Sequence, residues 1–297
     1  MKKTGFIAIV GRPNAGKSTL LNALLGEKVA IVSKKPQTTR TKITGILTRG
    51  ENQFVFLDTP GMHKPKTRLG SHMIKSINSA VAGVDAAILV ADASYSPGEV
   101  EKRFIEKFAS IGMPVILVLN KTDISNPAKI AEVITEYSAL SDYASVIPLS
   151  ALKNDGTDIL LKEAEKLLYE GDWLFDSDEL TDQPERQMAS EIIREKLLRL
   201  LDNEIPHGCA VVIEEFKEEK KLLRIRAEIF CERDSHKRII IGNKGEMLKK
   251  IGSYAREDME AFFGIKVFLD LWVKVKENWR ESDFIINNFG IKDEDDF

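Results

Sequence analysis

The chain has 297 residues, of which 43% are hydrophobic and 30% charged, with a formal net charge of -3. That length suits about two domains, and the mix suits packed cores, which excludes a disordered or fibrous chain. Near-neutral charge excludes a chain-wide basic surface, so any attraction to phosphate has to come from a local patch.

The opening apolar run, Phe6 to Val10, stops at Gly11-Arg12-Pro13, short of the about 7–15 apolar residues of a signal peptide. No stretch approaches the roughly 18 apolar residues of a membrane span. Cys209 and Cys231 have no zinc or CxxC spacing and read as reduced thiols. A cytoplasmic protein is expected, with peripheral contact at the inner membrane face left open.

Taken in order, Phe6 to Val10 reads as a strand, then a glycine loop, then a helix from Lys17 to Leu25. Gly45 to Thr48 and Phe54 to Leu57 flank Arg49-Gly50-Glu51-Asn52 as a hairpin. Strands over Ala86 to Ala91, Val115 to Leu119 and Val146 to Leu149 alternate with helices after Pro97, after Pro127 and from Asp158 to Leu168. Buried strands alternating with helices imply an α/β domain, a mostly parallel sheet with one antiparallel strand. Residues 170 to 186 turn acidic and end at a proline, as a linker does. Beyond them the order is helix, strand, strand, helix, helix, strand, a smaller α+β domain. The boundaries expected are 1–169 and 186–281 for the two domains, 170–185 for the linker and 282–297 for a tail, frayed over Lys292 to Phe297.

Gly11-Arg12-Pro13-Asn14-Ala15-Gly16-Lys17-Ser18 matches the phosphate-loop pattern G-x-x-x-x-G-K-[ST]. Chance supplies roughly 0.01 such matches in a chain this long, and this one sits between a buried strand and a helix, as the pattern requires. Glycines let successive backbone N–H groups turn inward onto anionic oxygens, and the helix beginning at Lys17 adds its dipole. Lys17 is expected on the β- and γ-phosphates and Ser18 on magnesium; Thr19 completes the cradle.

Asn120-Lys121-Thr122-Asp123 follows the strand Val115 to Leu119, at the carboxyl edge where open α/β sheets bind ligands. Asp123 can accept from guanine N1–H and the 2-amino group, which adenine cannot offer, and such a site discriminates by about 10⁴–10⁵. Asn120 can brace the phosphate loop and bond N7, and the Lys121 stem can lie along the ring. Ser150-Ala151-Leu152 follows a further strand and can offer a backbone N–H to guanine O6.

Asp58-Thr59-Pro60-Gly61 ends the strand Phe54 to Leu57. Asp58 is expected to hold magnesium through water, and the Gly61 N–H to meet the γ-phosphate. Between the two motifs lies a polar loop, Ser33 to Lys42, with Gln37, Thr38, Thr39 and Arg40. It reads as a switch that orders when Thr39 or Thr38 caps magnesium. Met62 follows Gly61 and has no group to orient water; His63 beside it reads as solvated.

Gly242-Asn243-Lys244-Gly245 is a GxxG, which chance alone supplies about once in a chain with this many glycines. Its setting gives it weight. Between His236 and Arg256 six basic residues (Lys237, Arg238, Lys244, Lys249, Lys250, Arg256) face one acid, Glu246. Bare glycines admit a sugar–phosphate backbone, Lys244 answers a phosphate, and an apolar groove beginning at Ile241 can hold about four unpaired nucleotides. Asn243 is placed to read a base or to shape the turn.

Taken together, these motifs resemble the translation-factor-related GTPases over the first 150 or so residues. With Gln37-Thr38-Thr39-Arg40 and a C-terminal segment similar to a type II KH domain, the whole resembles the Era-type GTPases. The resemblance implies GTP and GDP as ligands, Mg2+ as cofactor, slow hydrolysis and K+ held near the phosphates by Asn14. It also implies single-stranded RNA near the 3′ end of small-subunit ribosomal RNA as partner, in assembly of that subunit. The rival readings are a membrane-associated regulatory GTPase without an RNA role and a P-loop kinase.

Overall fold

A computed structural model describes residues 1–62, 65 and 67–291. His63 and the acidic tail from Lys292 lie outside the described residues. The chain divides into two units, one built from Met1–Ala30, Thr39–Lys64 and Met73–Asp182, the other from Ile31–Thr38, Pro65–His72 and Gln183–Phe297.

The first unit is a seven-stranded sheet. Its strands are β1 (Lys3–Val10), β2 (Ile43–Arg49), β3 (Asn52–Asp58), β4 (Ala86–Asp92), β5 (Val115–Asn120), β6 (Ser145–Pro148) and β7 (Tyr169–Glu170). The order is β2-β3-β1-β4-β5-β6, with β7 also on β1. All neighbours are parallel except the hairpin β2–β3 and the short β1–β7 pair. The hairpin turns at Gly50, whose φ of 62° is left-handed and free of strain only without a Cβ.

The strands read as continuous apolar runs because both faces are covered. Ile7, Ile9, Phe54, Phe56, Ile88, Val90, Ile116 and Val118 fill one core with α1 (Lys17–Leu25) and α5 (Thr157–Glu165). Their alternates Ala8, Val10, Ala87, Leu89, Leu117 and Leu119 fill the other. There they meet α2 (Arg68–Ala82), α3 (Glu99–Ser110) and α4 (Pro127–Ser138) through Ile77, Val81, Phe104, Phe108, Val133 and Tyr137. The chain leaves β1 with β3 on one side and β4 on the other, so the glycine loop opens at the point where strand order reverses, where open α/β sheets bind ligands.

Residues 173–181 depart from the linker reading. Buried Gln53 accepts from the N–H of Leu174 at 2.8 Å and of Phe175 at 3.1 Å and donates to the Phe175 carbonyl at 2.9 Å. The Ile46 N–H donates to Leu180 O at 2.9 Å and Thr181 Oγ1 to Thr44 O at 2.7 Å. The acidic composition is therefore the solvent side of a segment bound along the β2–β3 edge.

The second unit contains α6 (Glu185–Leu200), β8 (Ala210–Glu219), β9 (Leu222–Cys231), α7 (Asp234–Ile241), α8 (Glu246–Phe263), β10 (Lys266–Val275) and α9 (Asp283–Asn288). The sheet order is β10-β9-β8, antiparallel between β8 and β9 and parallel between β9 and β10. Leu223, Ile225, Ala227 and Ile229 alternate inward onto Ile192, Ile193 and Leu197 of α6 and Ile251, Ala255 and Met259 of α8. The element order is the expected one. Among the described residues of the former tail, α9 is a packed helix, with Ile286 buried against Trp279, Leu69 and Ala210.

Helix α6 carries three consecutive buried charges, Arg194, Glu195 and Lys196. Burying a charge is costly unless it is paired and hydrogen-bonded. Here Arg194 pairs with Glu191, and Lys196 with Glu195 and Asp258. Backbone groups of the segment Ile31–Thr38 take the remaining valences: Glu195 accepts from Val32 N–H at 3.0 Å, and Arg194 donates to the carbonyls of Gln37 and Thr38.

Candidate functional site

The phosphate loop curls as the glycines predict. Gly16 has φ 98°, and a Cβ there would lie 2.2 Å from Asn120 Nδ2. Asn120 Nδ2 donates to Ala15 O at 2.8 Å, which fixes the loop against the base-side segment as expected. Gly61 approaches as closely, since its Cβ would lie 2.6 Å from Pro13 Cα. Thr59 Oγ1 donates to Ile9 O at 2.9 Å and the Met62 N–H to Gly11 O at 3.2 Å, so Thr59 to Met62 lie against the loop. Asn14 is exposed at φ 61°.

Lys17 is buried, with Nζ on the carbonyls of Gly11 at 3.3 Å and Arg12 at 3.1 Å. Burial lowers its pKa, opposed by the charge of Asp58. Ser18 Oγ donates to Asp58 Oδ2 at 2.6 Å and lies 2.9 Å from Thr39 Oγ1. Asp58 is fully buried and its pKa is pushed up to about 6 by that burial, against the opposing pull of Lys17, Ser18, Thr39 and the Thr59 N–H. Its Oδ1 is buried without a hydrogen bond.

One carboxylate and two hydroxyls, with one anionic oxygen unbonded, fit Mg2+, a hard cation that takes few protein ligands and fills its remaining positions with water and phosphate. Thr39 faces Asp58, whereas Thr38 Oγ1 donates to Lys35 O at 2.7 Å. Thr38 and Gln37 belong with the segment bound by α6. Arg40 is buried.

On the base side, Asp123 is exposed and its Oδ1 accepts from Ser150 Oγ at 2.6 Å. Ser150 thus holds the carboxylate expected to read the base edge, a role beyond the backbone donor expected of it. The Ala151 N–H donates to Asn120 Oδ1 at 3.0 Å, a bond that closes the two base loops on each other. Leu152 is 75% exposed. With Thr19, Ala151, Asn22, Lys28 and Asn154 it lines a cleft of about 380 Å³ beside the phosphate loop.

Arg12 serves the loop by its backbone, because its side chain turns to α3. Its Nε donates to Glu101 Oε1, whose other oxygen accepts the Gly98 N–H at 3.1 Å at the helix start. Glu101, fully buried, was not singled out in the sequence. An acid three residues after Gly98 at a helix start was the available signal.

In the second unit, α7 ends at Ile241 and α8 begins at Glu246, with the GxxG as the turn between them. Gly242 has φ 75° and Gly245 84°, and a Cβ on Gly242 would lie 2.7 Å from the Met247 Cβ. Lys244 is itself left-handed at φ 48°. Arg238, Asn243, Lys244, Lys249 and Lys250 are exposed, while Lys237 and Ile241 are half-buried. The turn presents backbone and cations together, which a sugar–phosphate chain requires.

A mostly parallel sheet with a phosphate loop at its switch point, a carboxylate–hydroxyl corner and an Asn-Lys-Thr-Asp loop after β5, followed by a helix–GxxG–helix unit, defines a P-loop GTPase joined to a KH domain. A family model described as 50S ribosome-binding GTPase matches residues 6–121, and one described as KH domain matches residues 204–280. The chain is 49% identical over 291 residues to GTPase Era of Ruminiclostridium cellulolyticum, covering 98% of each. It is 48% identical over 296 residues to GTPase Era of Clostridioides difficile, covering 99% of this chain and 100% of that one. Among solved structures it is similar to Era in complex with MgGDPNP and nucleotides 1506–1542 of 16S ribosomal RNA, at a TM-score of 0.94 and 40% identity, covering 98% of this chain and 99% of that one. It is also similar to a single-residue variant of Aquifex aeolicus Era bound to GDP.AlF4-, at a TM-score of 0.93 and 40% identity, covering 97% and 99%. The chain belongs to the Era family of GTPases.

The buried Asp58 gives a pH-dependent prediction. A carboxyl whose folded pKa is raised from 3.8 to about 6 stabilises the fold below the lower value and loses that contribution as pH rises through the upper one. Without metal or nucleotide, Asp58→Asn should therefore be more stable than the parent at pH 7.5, by up to about 3 kcal/mol, and melt at a higher temperature. The gap should close near pH 4, and Mg2+ with nucleotide should reverse the order. Differential scanning calorimetry at the two pH values checks this; equal melting at pH 7.5 would sink the electrostatic reading of the corner.

Proposed function

We propose that the chain is a magnesium-dependent, potassium-stimulated GTPase switch of the cytoplasm. On this reading it binds single-stranded RNA near the 3′ end of 16S ribosomal RNA and assists small-subunit assembly. The observation that carries it is the convergence of Ser18, Thr39 and the unbonded Asp58 oxygen beside Lys17. The RNA target is supported by the Era complex with nucleotides 1506–1542 of 16S ribosomal RNA, and Mg2+ by the MgGDPNP in that complex.

In this reading Gly11 to Thr19 cradle the phosphates and the Lys17 ammonium leaves the loop carbonyls for the β- and γ-phosphates. Mg2+, held by Ser18 and Thr39 and through water by Asp58, neutralises charge between those phosphates. Asp58 to Gly61 sense the γ-phosphate, and Gln37 to Arg40 with Met62 form the switch. Asn120, Lys121, Asp123 and Ser150 to Leu152 enclose the base. Lys237, Arg238, Ile241, Gly242 to Gly245, Lys249 and Lys250 hold the RNA.

Met62 donates only its N–H to Gly11 and packs its side chain on the core beneath. It orients no water, so a monovalent cation at Asn14 supplies the charge that an arginine would supply elsewhere. Exchanging potassium for sodium should slow hydrolysis at constant ionic strength, measured by phosphate release; an unchanged rate removes Asn14 from this role.

Asp123→Asn should turn preference from GTP to xanthosine triphosphate, because an amide offers a donor where xanthine presents an acceptor. The expected change in relative affinity is at least about 10³-fold, read by competition with a fluorescent nucleotide. Continued preference for GTP would refute base reading by this carboxylate.

The rival, a membrane-associated GTPase without an RNA role, is separated by the GxxG. Among the described residues no helix is long and apolar enough to cross a membrane, which leaves surface attachment as that reading's only helical route. Gly242→Asp with Gly245→Asp should abolish filter binding of the RNA 3′ segment while leaving GTP affinity intact. Undiminished RNA binding by the double variant would remove the GxxG from the RNA role, and failure of the parent chain to bind the segment would favour the rival.

A further inference from the structure

Asp92 ends β4 and belongs to none of the nucleotide motifs, yet it is 8% exposed and both its oxygens are used. Oδ1 accepts from the Ser94 N–H at 3.0 Å, and Oδ2 accepts from Lys121 Nζ at 2.8 Å. The circuit continues. Lys121 O accepts from Ser125 Oγ at 3.0 Å, and Ser125 Oγ lies 2.8 Å from Ser94 Oγ. Four residues of the loops after β4 and β5 thus form a closed ring of hydrogen bonds.

Lys121 is held at both ends by this ring. Its backbone sits at φ 69°, a left-handed conformation costly for a residue with a Cβ. The Asn120 Oδ1 bond to Lys121 N–H at 2.8 Å and the Ser125 bond to its carbonyl sustain that conformation. At the far end Asp92 fixes the ammonium. A free lysine stem has rotamer freedom that binding has to remove. Here that freedom is already gone, and four methylenes stand as a rigid strut between Asn120 and Asp92. Burial alone would raise the Asp92 pKa, but the Lys121 and Ser94 hydrogen bonds outweigh it and hold the carboxyl below its ordinary range, so the tie stays charged.

We propose that Asp92 is a positioning residue for guanine-nucleotide binding, which locks the Lys121 stem into a preformed apolar wall for the face of the base. The inference rests on the proposed role of Asn120 to Asp123 as the base loop. A wall contacts the π-face, which guanine and hypoxanthine share, whereas Asp123 reads the edge, where they differ. Loosening the wall should therefore weaken both nucleotides by the same factor.

The test is stopped-flow release of fluorescent GDP and IDP from the full chain with Mg2+. Asp92→Asn is expected to speed release of both about tenfold with their ratio unchanged, and to raise KM for GTP more than it lowers kcat. In the Lys121→Ala background, Asp92→Asn should add nothing, because the group it holds is gone. Unchanged release, additive effects or an altered GDP-to-IDP ratio would each overturn the assignment. Should Asp92→Asn not fold, Ser125→Ala opens the same ring without touching the charge. It should speed release of both nucleotides in equal measure, and no acceleration overturns the proposal. Asp123→Asn separates the two levels: if it fails to alter base preference the base-loop reading falls, and if it alters preference while Asp92→Asn changes nothing, only the strut falls.

Discussion

The nucleotide site is organised around a charge the fold cannot satisfy by itself. Asp58 is completely buried at the end of β3, Ser18 takes one of its oxygens, and the other oxygen has no hydrogen bond. Lys17, also buried, compensates only in part, and directs its ammonium to the carbonyls of its own loop. Removing an ionised carboxylate from water costs several kcal/mol unless it is fully paired. The protein therefore carries a local electrostatic deficit that a divalent cation and a polyphosphate relieve together. On the function proposed above, that coupling is what makes the pocket responsive to the third phosphate, with metal, phosphate and Thr39 stabilising one another.

Around this corner the backbone does most of the recognition, and it can because of glycines at two kinds of place. At Gly61 the requirement is space, since a Cβ would collide with Pro13; Gly16 adds a left-handed φ of 98° to its clash with Asn120. At Gly242 it is space and conformation at once, with a left-handed φ and Met247 directly behind. The two units thus share one local device, a glycine turn leading into a helix, with Lys17 at the start of one helix and Lys244 just before the other. On the proposed reading, one presents a closed loop to a compact polyphosphate and the other an open turn to a chain.

Much of this was legible in the sequence because the signals were local. G-x-x-x-x-G-K-S, Asn120 to Asp123 and the GxxG each combine a rare residue pattern with its secondary-structure setting, and strands buried on both faces announce themselves as apolar runs. What escaped was set by distance. Helix α2 has a readable spacing, Leu69, Met73, Ile77 and Val81, and a capping threonine, Thr67, whose Oγ1 accepts the Gly70 N–H at 3.1 Å, but it follows a proline-rich polar stretch that reads as loop. The binding of Leu174, Phe175 and Thr181 along β2–β3 depends on Gln53 and Thr44, more than a hundred residues away. Glu101, Asp92 and the buried charges of α6 are ordinary acids and bases in sequence; only their partners, Arg12, Lys121 and the 31–38 backbone, give them roles. The choice of Thr39 over Thr38 needed the direction of two adjacent side chains.

The residue after Gly61 links the chemistry to the proposed task. A GTPase built for fast turnover places a hydrogen-bonding side chain beside the attacking water; here Met62 turns its side chain to the core and leaves only an N–H, already on Gly11. Without a water-orienting group, the remaining means of stabilising the transition state on the proposed reading are the loop N–H groups, Lys17, the divalent ion and a cation at Asn14, all of which stabilise developing charge and none of which positions water. On the proposed reading, hydrolysis at such a site is slow and depends on the cation supplied. Slow hydrolysis suits a module that grips a flexible strand through about four nucleotides, because the grip has to outlast the folding of the RNA it holds. On the function proposed above, a phosphate sensor that turns over slowly serves as a timer for RNA occupancy rather than as a catalyst selected for rate.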